Sequence, residues 1–119
     1  MRPRDVEGQA VALLKAALPG VYVATRVPNP RPVEHVRVRR TGGTGINLVQ
    51  ERPQLLIECW AADSVAAFDL AGDCYVVLDA EFCGTGNRPS SPTNNDDPNT
   101  SSPRYQFTLT PIVNLEESA

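Results

Sequence analysis

The chain has 119 residues, a formal net charge of −3 and 41% hydrophobic residues, which bounds it to one domain with one modest core. No run approaches the ~18 apolar residues of a bilayer span, and the opening MRPRDVEGQ lacks the apolar centre of a secretory signal, so a cytosolic history and no membrane partner are expected. The acidic balance argues against a purely nucleic-acid-binding domain, and three cysteines without a CxxC pair argue against a disulfide framework or a zinc site.

Charge is unevenly placed. Residues 1–52 hold nine Lys and Arg against four Asp and Glu; residues 53–119 hold two against ten, so the halves carry +5 and −8, summing to −3. Ten of the eleven cations are Arg, whose planar fork suits carboxylates. Either surface charges happen to segregate, or copies of this chain, or the chain and a neighbour, meet basic face to acidic face.

In chain order, residues 5–18 read as a helix with Val6, Ala10, Leu13, Leu14 and Ala17 as its apolar stripe and Glu7, Gln9 and Lys15 facing water. Pro19 and Gly20 stop it. Residues 21–27 alternate as a strand. The proline-rich 28–32 is a stiff extended connection with few amide donors. Residues 33–40 form a second strand, with Val36 and Val38 toward the core, Glu34 and Arg40 at the ends of that face, and His35, Arg37 and Arg39 on the other. That row is either a charged contact surface or a solvated strand face.

Residues 41–51, TGGTGINLVQE, read as a long mobile loop between antiparallel strands. The glycines do not make a phosphate loop, because Ile46 and Asn47 stand where the motif needs Lys-Ser/Thr. Ile46, Leu48 and Val49 give the loop an apolar tip, which either meets another chain or folds back on its own core. Residues 54–61 form the densest apolar strand, with Leu55, Ile57 and Cys59 on one side and Leu56, Glu58 and Trp60 on the other. Asp63 caps a helix over 63–82, on which Phe68, Ala71, Tyr75, Leu78 and Phe82 make a stripe. Asp69 and Asp73 sit one turn apart, either solvated or paired with arginines of a neighbouring subunit.

Residues 84–103 contain no aliphatic or aromatic side chain and four prolines, so the segment is expected to be mobile on its own. Its Asn-Asn-Asp-Asp cluster lacks calcium-loop spacing. Residues 104–113 form a final strand, with Pro111 at an edge or strand end. The order α-β-β-β-α-β gives an α+β domain over 1–119, a two-layer, mixed four-stranded sheet packed against two helices.

No catalytic, metal or cofactor motif assembles. A Cys59–His35 thiol pair can be drawn on adjacent strands, but alternation turns Cys59 toward packing. A small thiol enzyme or ligand-binding domain is the remote alternative.

An N-terminal helix ending in ALPGVYVATRVPNPRP, then VRVRRTGG, then LLIECWAAD entering an alanine-containing helix, then a Pro/Asn/Asp loop and RYQFTLT, form an ordered set over nearly the whole chain. The set resembles the small tail terminator (tail-completion) proteins of phages with long non-contractile tails, especially the actinobacterial-phage type. The resemblance implies a virion protein at the head–tail junction, assembled in the host cytoplasm. It would form a ring, typically of six copies, that caps the tail tube, stops its polymerisation and forms the joining surface for the head. Implied partners are further copies of the chain, the tail tube protein and a head-completion or connector protein, with DNA only passing through the channel and no cofactor. A head–tail connector or head-completion protein of the same particle is the alternative. The family offers no short catalytic motif to transfer. The candidate contacts, His35, Arg37, Arg39, Arg40, Ile46, Leu48, Val49, Asp69 and Asp73, rest on the strand, loop and helix patterns above, and charge reversal at Arg37 and Arg39 is expected to weaken assembly while leaving the fold unchanged.

Overall fold

A computed structural model of the chain describes residues 1–83 and 87–117. The elements run α1 (Val6–Ala17), β1 (Tyr22–Ala24), β2 (His35–Gly45), β3 (Gln50–Trp60), α2 (Ser64–Leu78) with a π-helical turn (Asp79–Cys83), β4 (Thr93–Asn94), β5 (Arg104–Leu109) and β6 (Val113–Asn114). The domain is α+β, with a mixed sheet ordered β1-β2-β3-β5-β4 and β6 paired to β3 beside the same path. Six strands replace the four expected, because two short pieces join the sheet. β4 arises from the polar segment, and the final strand breaks at Pro111, which leaves β6 to pair separately.

β1 and β2 are parallel, Tyr22 opposite His35; every other pairing is antiparallel. The proline-rich segment carries the chain between the parallel pair without a helix. It fixes backbone angles through its rings and offers few donors that would need partners.

Both helices pack on one face of the sheet. Val36 and Val38 from β2, Leu55, Ile57 and Cys59 from β3, and Phe107 and Leu109 from β5 point to that face and are buried. α1 contributes Val6, Ala10 and Leu14; Leu13 is only half-buried and Ala17 is exposed. The Asp5 carboxylate accepts from the Gly8 amide at 2.9 Å, and a Cβ on Gly8 would stand 2.5 Å from that carboxylate. The glycine that looks like a helix weakness makes room for its cap. Asp63 caps α2 as expected, accepting from the Ala66 amide at 2.8 Å.

The stripe on α2 differs from the expected one. Ala67, Leu70, Ala71, Cys74 and Leu78 are buried, Tyr75 and Phe82 are at the core's margin, and Phe68 lies half out of it, edge-on to Tyr105. Spacings of three and four fit more than one stripe, and the smaller residues win because they let the helix sit close to the sheet.

The largest departure is at residues 41–51. β2 and β3 stay paired from Gly42 opposite Gln54 out to Gly45 opposite Glu51, after a register shift at Thr41. In place of the expected loop stands an arm, the continued β2–β3 hairpin closed by the turn 46–49, with β6 paired to its β3 side at Gln50 and Glu51. Its stem is pinned by charge. Arg40 pairs with Glu51, its Nη1 donates to the Arg4 carbonyl at 3.1 Å, and its amide donates to Glu7 Oε2 at 2.7 Å. Glu7, expected to face water, therefore ties α1 to the arm. The molecule measures 44 × 29 × 26 Å with a radius of gyration of 14.5 Å, slightly above the roughly 13.5 Å of a compact chain this long.

Candidate functional site

The sheet face away from the helices is polar. Register places His35 opposite Trp60, Arg37 opposite Glu58 and Arg39 opposite Leu56 on β2 and β3, then Trp60 opposite Arg104 and Glu58 opposite Gln106 on β5. Alternation sends all these side chains to one side. Two irregular segments meet them there, one bringing Arg31 and the other Asp97.

Glu58 is the centre. Its side chain is 3% exposed, yet it carries a carboxylate. Arg37 Nε donates to Oε1 at 2.7 Å, Arg104 Nη1 donates to Oε2 at 3.0 Å, and Arg39 Nε lies 3.6 Å from Oε1 without a hydrogen bond. The second acid, Asp97, accepts from Arg31 Nη1 at 2.9 Å and from the Trp60 indole at 3.2 Å. Its Oδ1 accepts from the Asn99 amide at 2.9 Å. The Arg31 contact, with help from Asn99 and Trp60, holds the Asp97 carboxyl well below the usual carboxylate range despite the opposing effect of burial.

Trp60 is the apolar hub of this face. The guanidinium carbons of Arg31, Arg37 and Arg104 lie 5.6, 5.7 and 5.5 Å from its ring centroid, within cation–π reach. His35 stacks on it at 4.4 Å and 11°. Neither His35 nitrogen has a hydrogen-bond partner among the described residues. Burial pushes the imidazole pKa down; the Pro32 backbone is the largest influence the other way, Arg31 and Arg37 lower the pKa further, and Asp97 raises it slightly.

His35, Arg37 and Arg39 are thus brought together, but they do not form an open row. His35 is buried and Arg37 is bonded inside the chain; of the three, Arg39 alone is about half-exposed. The reason is that Glu58 and Trp60 share their face, and a tryptophan paired with a carboxylate draws the arginines inward. Charge reversal at Arg37 would set a second carboxylate against Glu58, so it would damage the fold, contrary to the sequence-based expectation. Arg40 belongs to the arm stem on the other side.

The same contacts give the polar segment, expected to be mobile on its own, defined partners among the described residues; residues 84–86 lie outside them. The Asn95 amide donates to the Arg104 carbonyl at 2.9 Å, Arg104 Nε donates to the Asn95 carbonyl at 2.9 Å, and Asp97 is locked as above. Composition measures apolar burial only, and this segment is held by hydrogen bonds to buried charges.

The halves of opposite charge also meet within one chain. Arg31–Asp97, Arg37–Glu58 and Arg2–Glu116 each join a cation of the first half to an acid of the second. Asp69 and Asp73 on α2 are exposed and form no ion pair with the described residues. Ile46, Leu48 and Val49 stand on the arm's turn, with Leu48 89% exposed, so the tip does not fold back onto its own core.

Chemically, the polar face is a clamp. Four guanidiniums surround two carboxylates, and a half-open cleft of about 310 Å³ beside them is lined by Arg37, Arg39, Asn99 and Gln106 among others. Cys59 and His35 are on opposite faces of the sheet. Cys59 instead lies 3.9 Å from Cys74, sulfur to sulfur, and that contact together with burial pushes its thiol pKa up. Among the described residues, no group of three or more His, Cys, Asp or Glu is placed to hold a metal, and no helix is long and apolar enough to cross a membrane.

Sequence reasoning missed Arg31, Asp97 and Arg104 as parts of one cluster. The signal available was Glu58, a lone acid inside the most apolar strand, on the face that alternation shares with Trp60. No protein-family model and no curated protein matches the chain.

Proposed function

We propose that the chain is a tail terminator. It caps the end of a phage tail tube as a ring of identical subunits, stops tube growth and offers the joining surface for the head. The ordered sequence resemblance and an α+β fold with both helices on one face support this reading. The observation that carries it is the arm. The β2–β3 hairpin, flanked by β6, carries exposed Ile46, Leu48 and Val49 at its turn, and exposed apolar side chains grouped on one turn call for cover by another chain.

Stopping a polymer requires no bond to be made or broken. One ring face matches the tube end, and the opposite face does not present another tube-like surface. Two contacts of about 800 Å² each would occupy roughly a quarter of the 6683 Å² of accessible surface, which a subunit of this size can spare.

The test is the mass and symmetry of purified protein, alone and with tail tubes, together with electron microscopy of particles made without it. Ring-shaped oligomers, and overlong tails in their absence, are expected. Unjoined heads with tails of normal length would point to a connector instead. A monomer at every concentration, with tubes present, would overturn the proposal.

A further inference from the structure

Two exposed apolar surfaces among the described residues each supply what the other lacks. The first is the arm's turn. Asn47 Oδ1 accepts from the Val49 amide at 2.9 Å, the Ile46 amide donates to the Gln50 carbonyl at 3.0 Å, and the Leu115 amide donates to the Val49 carbonyl at 2.8 Å. The backbone beneath the three apolar side chains is already fixed, so little ordering entropy opposes docking. Glu51 is engaged by Arg40. The exposed Arg52 forms no ion pair among the described residues and is the arm's remaining charge.

The second surface is the outer side of α2. A surface helix usually has one apolar stripe, but α2 is apolar on both sides. Opposite its buried stripe, Val65 and Val76 are 71% and 67% exposed and Phe68 about half. Phe68, Gly72 and Val76 lie four residues apart on one ridge, and a Cβ on Gly72 would meet nothing within 4 Å. No packing among the described residues accounts for a glycine that costs a helix interior about 1 kcal/mol relative to alanine. The ridge is a notch between two apolar walls. Beside it, Val65, Asp69 and Asp73 form the adjacent row, with both carboxylates exposed.

We propose that the arm tip of one copy docks in this notch on a second copy, with Leu48 over Gly72 between Phe68 and Val76, and Arg52 against Asp69 and Asp73. The inference rests on the ring reading and names the contact that would close the ring. Knob and notch lie on different parts of the subunit, so the contact is head-to-tail and repeats around a ring rather than ending in a two-fold dimer. Positive charge on the arm meeting negative charge on the helix selects a second copy as the occupant and sets the register of approach. The contact is an anchor within a larger interface.

Photo-crosslinking of the full chain tests it, with p-benzoylphenylalanine in place of Leu48 and adducts mapped by mass spectrometry. Adducts between copies that fall within residues 64–78 are expected. A ring whose adducts fall elsewhere, tip to tip or on the polar face, overturns the docking and leaves the ring reading standing; a monomer at every concentration overturns both. The charge pairing has its own readout. Asp69→Arg with Asp73→Arg should weaken association about tenfold at low salt, and adding Arg52→Asp to the same chain should restore most of it. Failure of that restoration, with helical content unchanged, overturns the assigned pairing.

Discussion

Replacing Glu58 with alanine removes the acid at the centre of the polar face and leaves its partners in place. Arg37 and Arg104 have side chains only 24% and 10% exposed, so each loses a charge-assisted hydrogen bond, at 2.7 and 3.0 Å, without gaining full access to water. An exposed pair would lose about 0–1 kcal/mol, but breaking a buried one costs about 3–5 kcal/mol because the remaining charge is uncompensated. Arg39, at 3.6 Å and about half-exposed, adds little. Against a total stability of roughly 5–15 kcal/mol, Glu58→Ala should lower Tm by about 9–25 °C at some 3–5 °C per kcal/mol for this chain length. Trp60 is the sole tryptophan and sits in the cluster, so its fluorescence during urea and thermal unfolding reports the change directly. A loss under about 1 kcal/mol would refute the reasoning and mean that water already solvates the arginines. A parallel variant, Glu58→Met with Arg37→Met and Arg104→Met, should recover much of the loss.

Three further outcomes are expected. The folded His35 pKa lies below the ordinary 6.5; the unfolded chain then binds more protons, so stability is full above pH 6.5 and falls as pH drops below it, a slope that His35→Phe should remove in urea melts from pH 5 to 8. The folded Asp97 pKa is also depressed, so its contribution is present above about pH 4 and fades below that; Asp97→Ala should cost about 2–3 kcal/mol and expose residues 95–102 to limited proteolysis, which an unchanged digestion pattern would contradict. Gly43 has φ +139°, and a Cβ there would stand 2.7 Å from the Arg52 carbonyl oxygen and the Pro53 Cα. Gly43→Ala should cost about 1–3 kcal/mol, seen as lost amide exchange protection across the arm.

The core was legible in the sequence because strand alternation is a strict code. Val36, Val38, Leu55, Ile57, Cys59, Phe107 and Leu109 all face the helices as their spacing requires. Helix periodicity is looser, and it misplaced Phe68 while leaving Ala67 and Cys74 unassigned. The arm was hidden because glycine and threonine carry no apolar pattern; its pairing comes from backbone hydrogen bonds continued from an already aligned ladder. The polar cluster was half legible. Alternation places Glu58 and Trp60 together and His35 with Arg37, but only the fold brings Arg31 and Asp97 over them, across 66 residues of sequence.

The unlike chemistry of the two sheet faces has a consequence for how the strands find each other. Sliding β3 by one residue would turn Glu58 into the oily layer beneath the helices and leave Leu55 and Ile57 among guanidiniums. Such misaligned pairings forfeit both sets of contacts at once, so the hairpin has a single workable alignment. With the C-terminal strand bonded to the hairpin's far stretch at Gln50 and Glu51, the alignment set at the base is carried out to the turn.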